Sequence, residues 1–174
     1  MESRVKLFGH AIHPMLIVFP LGLLATSLIF DILYYPTDND ALAAAAFFMI
    51  AAGIIGGLVA AVFGLWDWLH IPEGTRAKQI GLLHGGGNVV VVLLFLISWL
   101  LRLRTPNHVA NTFGFVLEII AVGIALVTGW LGGELVEQLG VGVNPGANLN
   151  APSSLFGTNA APSYGQSPQT PRTT

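Results

Sequence analysis

The chain has 174 residues, of which 53% are hydrophobic and only 9% charged. Soluble domains carry about 25% charged residues, so water is not the solvent for most of this surface. A net charge of -2 provides no basic stripe for nucleic acid, and the lack of cysteine removes disulfides, iron–sulfur clusters, thiolate zinc sites, c-type haem attachment and thiol nucleophiles.

Four apolar runs, at about 13–35, 41–69, 82–103 and 109–131, each reach the roughly 20 residues needed to cross a bilayer. Strands of a membrane barrel would alternate polar and apolar residues, so these runs read as helices. The first, Ile12 to Leu33, exceeds the apolar core of a signal peptide and lacks a small-residue cleavage pattern, so it is expected to be a span. The expected fold class is therefore all-α: an integral membrane four-helix up-and-down bundle. Residues 1–145 would form the transmembrane domain, and 146–174 a flexible tail.

In chain order, the first span opens at His10 and His13, with Pro14 suited to a helical first turn. The proline disfavours helical torsions at His13, which is expected to be the N-cap. Pro20 should bend this helix, and Asp31 lies inside its far end. A short link, Pro36 to Asp40, leads to the second span, where Gly53, Gly57, Ala60, Ala61 and Gly64 form a small-residue face. Such a face permits close packing within the chain or between copies in a homo-oligomer. This span ends at Trp66-Asp67-Trp68.

His70 to Gly81 is the next link, and the third span begins with His84-Gly85-Gly86-Gly87-Asn88. His84 and Asn88 are four apart and share a helical stripe. Three consecutive glycines cost about 1 kcal/mol each relative to alanine in a helix, which close packing or room for a planar ligand would offset. Arg102 ends this span, and Arg104 to His108 connects to the fourth. Glu118 lies about 13 Å along that last helix at 1.5 Å per residue. Arg102 is placed to pair with Asp31 or Glu118; a protonated Glu118 is the second reading. Gly132, Gly133 and Glu134 close the span, and the Gly-, Asn-, Pro- and Ser-rich remainder, Ala151 to Thr174 above all, is expected to be disordered.

Successive spans alternate in direction, so two starts and two ends share one membrane face, called side A. His10, His13, Asp67, His84, Asn88 and Glu134 would gather there. Ionisable groups in apolar spans are costly and mark functional sites. Side A carries Arg4, Lys6, Arg76 and Lys78, and the opposite side B carries Arg102 and Arg104. The excess of positive charge is expected to place side A, with both termini, on the cytoplasmic side.

Several strings together resemble one bacterial membrane family. They are Gly9-His10-Ala11-Ile12-His13-Pro14, Phe19-Pro20, Asp31, Gly64-Leu65-Trp66-Asp67, His84 with Asn88, and Gly132-Gly133 followed by Gly140 to Val143. The family is domain of unknown function family 2231, and the likeness covers roughly residues 8–145. The resemblance implies a compact four-helix membrane domain and carries no function with it.

Three functional readings follow from the residues. The first is a b-type haem with His13 and His84 as axial ligands, Asp67 or Asn88 steadying the imidazoles, and Arg76 or Lys78 neutralising propionates. Such a protein would exchange single electrons with a membrane redox partner rather than convert a substrate; no recognisable catalytic motif is present. The second is a divalent transition metal held by a selection of His10, His13, Asp67, His84 and Glu134. The third has no cofactor: polar side chains cross-link helix ends in a structural or accessory subunit.

Overall fold

A computed structural model describes residues 1–155 of the chain. Two minimal strands, β1 (Lys6–Leu7) and β2 (His10–Ala11), pair antiparallel around a tight turn at Phe8 and Gly9. Both turn residues have positive φ, 50° and 84°, the combination a two-residue hairpin loop requires. Then come α1 (Ile12–Leu16), α2 (Val18–Thr37), α3 (Asp40–Leu69), α4 (Arg76–Arg102) and α5 (Thr112–Gly133). Glu134–Gln138 continues α5 as one π turn.

With α1 and α2 taken together, four helical segments are long and apolar enough to cross a membrane. The fold is the expected antiparallel membrane bundle. Two helical hairpins dominate the packing, α2 against α3 and α4 against α5, and α3–α4 and α2–α5 close the square more lightly. Leu24, Ile50, Ile54, Val91, Phe95 and Ala121 meet in the middle. Outward-facing Phe19, Leu58, Val62, Leu83, Leu126 and Trp130 are exposed, as lipid-facing side chains of a thin bundle must be. Most of the small-residue face of α3 is used inside the chain: Gly53 seats Leu24, Gly57 lies against Pro20 and Val92, and Gly64 seats His13.

Three boundaries differ from expectation. His13 is not the N-cap; that position falls to Ala11, and His13 lies inside α1. The helix loses one rung of its ladder around Ile17 while keeping helical torsions there (φ -63°, ψ -22°), and runs on as α2. Pro20 has no N–H to give the Leu16 carbonyl, which accounts for the missing rung. Finally, α4 begins at Arg76 rather than near residue 82, because Thr75 caps it by accepting from the Lys78 amide. The expected tail is described only to residue 155, in turns and exposed positions; its remainder lies outside the described residues.

Candidate functional site

The side A site rests on two imidazoles carried by different hairpins. His13 projects from α1 onto α3, where Nδ1 donates to the Ala60 carbonyl at 2.9 Å. His84 projects from α4 onto α5, where Nδ1 donates to the Thr128 carbonyl at 2.8 Å. A carbonyl only accepts, so each Nδ1 carries a hydrogen, and in the neutral form of either ring the lone pair is the one at Nε2. The ring centroids are 6.3 Å apart and the planes nearly perpendicular, at 87°. Both side chains are half-buried.

Glycines make the seats. A Cβ on Gly64 would stand 2.8 Å from His13 Cε1, and one on Gly132 would stand 3.1 Å from His84 Cε1. Gly87 gives Thr128 the same room: a Cβ there would lie 2.4 Å from its methyl. Of the glycine run on α4, only Gly87 is needed for contact, since Gly85 and Gly86 have no neighbour within 4 Å.

Asn88 sits one turn beyond His84. Its Nδ2 donates to the His84 carbonyl at 2.8 Å and approaches His84 Nε2 at 3.4 Å, while its Oδ1 accepts from Thr128 Oγ1 at 3.1 Å. The expected neighbour relation of His84 and Asn88 therefore holds in the structure. His13 Nε2 has no hydrogen-bond partner among the described residues.

The pair lies well inside the bundle. His84 is eight residues into α4, about 12 Å, and Ala60 is nine residues from the end of α3, about 13 Å.

Other candidates are placed elsewhere. Asp67 does not orient an imidazole: its carboxylate accepts from Ser3 Oγ at 2.8 Å on both oxygens and from the Arg4 amide at 3.1 Å. That anchors the N-terminal segment across side A, helped by Met1, whose ammonium donates to the Gly140 carbonyl at 2.8 Å. His10 is exposed in β2, with Ser154 Oγ 3.3 Å from its Nε2, and shares no helical face with His13. Glu134 pairs with Arg76 at 2.6 Å. Lys78 pairs with Glu73 at 3.0 Å, donates to the Trp68 carbonyl and lies over the Trp68 ring. Neither Arg76 nor Lys78 is a spare cation at the imidazole pair. Among the described residues, no group of three or more His, Asp or Glu side chains is disposed to hold a metal ion.

Two contributors had no clear sequence signal. The backbone carbonyls of Ala60 and Thr128 depend on how helices face one another, and a carbonyl leaves no trace in residue identity. Thr128 is an ordinary helical threonine in sequence, although its spacing of four from Gly132 marks the face that receives His84.

The family model for predicted membrane proteins numbered DUF2231 matches residues 9–145, from the hairpin turn to beyond the π turn. The chain belongs to the DUF2231 family of predicted membrane proteins. No curated protein and no solved structure matches it. The matched stretch contains His13, His84, Asn88 and Thr128, with Gly64, Gly87 and Gly132, so the entire imidazole site lies inside the DUF2231 region.

Proposed function

We propose that this DUF2231 protein is a membrane electron carrier that binds one b-type haem between His13 and His84. One observation carries the reading: two imidazoles on separate hairpins face one another at 6.3 Å, each with Nδ1–H spent on a backbone carbonyl. Spending Nδ1 in this way is how ligating histidines are ordinarily fixed. Two imidazoles bound end-on to one transition metal, at about 2 Å per bond, would set their centroids roughly 6 Å apart. A porphyrin supplies the other four nitrogens, so haem iron asks the protein for only two ligands. A bare zinc-like ion asks for three or four. The pair therefore suits haem better than the divalent metal.

When bound, haem supplies one-electron chemistry; the chain's part is to orient the imidazoles and keep the site in an apolar surrounding. His13 and His84 would hold the group between the two hairpins, whose mutual faces are the more lightly packed ones. The second reading, a ligand-free structural subunit, draws on the approach of Asn88 to His84 Nε2, which ties that nitrogen into the helix-to-helix network.

The orientation proposed is side A inward, with both termini cytoplasmic in a bacterial inner membrane. Arg102 and Lys78 are both buried and do not serve as loop charges, which leaves Arg104 on side B against Arg4, Lys6 and Arg76 on side A.

The test is a visible spectrum, with and without dithionite, and a metal assay on protein purified in mild detergent after haem-replete expression. The expected result is a Soret band that is lost in both His13→Ala and His84→Ala. A colourless, metal-free protein would leave the structural reading; stoichiometric metal without a Soret band would leave the divalent ion.

A further inference from the structure

At the side B end, three ionisable side chains are sealed inside the bundle. Arg102, the last residue of α4, is 0% exposed, as is Glu118 from α5, and Asp31 from α2 is 2% exposed. The guanidinium spans both carboxyls: Nη1 and Nη2 bond the two oxygens of Asp31, and Nη2 also donates to Glu118 Oε1 at 2.6 Å. Nη1 reaches on to the His108 carbonyl at 3.3 Å, in the link between α4 and α5.

Charge counting leaves a remainder. One guanidinium against two carboxylates gives a net of minus one in a place sealed from solvent, and an unbalanced buried charge is expensive. The hydrogen bonds show the same asymmetry. Glu118 Oε1 accepts from both Arg102 and Ser98, whereas the buried Oε2 accepts from no donor among the described residues, and the Asp31 carboxyl lies within hydrogen-bonding reach of Glu118. An ionised carboxylate spreads its charge over two oxygens that both need donors. A carboxylic acid needs donors at only one oxygen, and the other carries a hydrogen that it can give to a neighbouring carboxylate, here Asp31.

We propose that the Asp31–Arg102–Glu118 cluster is a proton-binding site, holding one exchangeable proton on Glu118 Oε2. Uptake forms the O–H bond at Oε2 and brings the cluster to neutrality; release returns the proton to water at side B, the end where Arg102 meets the α4–α5 link. No electron moves in either direction. The proton is a better occupant than a sodium or potassium ion: Arg102 Nε is itself a buried donor without an acceptor, so further positive charge at the cluster would meet more repulsion than ligation. The ionisable groups facing Glu118 are Asp31 and Tyr35 from α2, Arg102 from α4 and, through Arg102, His108 from the link; α3 presents Phe47 against His108. The proposal does not depend on what His13 and His84 bind.

Infrared spectroscopy of the intact protein tests it. At neutral pH, the wild type is expected to show a carboxylic-acid carbonyl band that moves on deuterium exchange and on labelling with carbon-13 glutamate. The band should vanish in Glu118→Gln. It should vanish also in Asp31→Asn, although Glu118 remains, because Arg102 then takes the Glu118 charge for its own balance. The isotope label assigns the band in the wild type even if a variant fails to fold. Absence of a glutamic-acid band at neutral pH, or its persistence in Glu118→Gln, overturns the proposal. A band that disappears on adding sodium at constant pH overturns it in favour of a monovalent cation.

Discussion

His13 and His84 are held by one bond each to a carbonyl and by a glycine beneath each ring. The space under His13 has a direct consequence. Gly64→Ala pushes the imidazole off the Ala60 carbonyl, since a Cβ would stand 2.8 Å from Cε1. The lost bond costs about 1 kcal/mol, so on the proposed haem reading affinity for haem should fall roughly fivefold by titration of the apo-protein. Gly85→Ala is the control: nothing lies within 4 Å, and affinity should not change. At this scale, residue type was a good guide to the two imidazoles and to Asn88, since polar side chains in apolar runs stand out. It was a poor guide to Asp67. A carboxylate at the end of a span has many possible partners, and the one it finds, Ser3, belongs to a segment whose path the periodicity of the spans does not describe.

Among the elements, the long helices were legible because hydropathy alone demands them, and their ends were less so. The first turns of α4, from Arg76 to Gly81, contain Arg, Lys and Gln, so apolarity could not reveal that the helix had already begun. The β1–β2 hairpin was missed because two-residue strands have no period to read. That hairpin and the residues before it form a strap across side A, tied down chiefly at Asp67. Asp67→Ala should release it: amide exchange at Arg4 and Val5 is expected to speed up by hydrogen-exchange mass spectrometry, with the visible spectrum unchanged. Were Asp67 instead part of the imidazole site, the spectrum would move with it.

Taken whole, the bundle has polar ties between its hairpins at each end of a central apolar core: Trp68 with Lys78 at side A, and Asp31, Arg102 and Glu118 at side B. The side B tie is the costly one to break. Arg102→Met leaves two carboxyls sealed without their cation and should lower stability by about 3–5 kcal/mol, measured by denaturant unfolding in detergent. The imidazole pair at side A, by contrast, is only half-buried, and each Nδ1 is bonded within its own half, so His13→Ala should change unfolding far less than Arg102→Met. Orientation is tested at the same scale: with no native cysteine, single cysteines placed at residues 4 and 106 should label from the cytoplasm and the periplasm respectively. Each helical hairpin buries its own shared face more thoroughly than it buries its partner's. Biogenesis inherits an order from this. The α1–α3 and α4–α5 halves can enter the lipid one after the other as self-contained units, then join. Each half already holds its own imidazole in place, so the pair comes into being only when the halves dock.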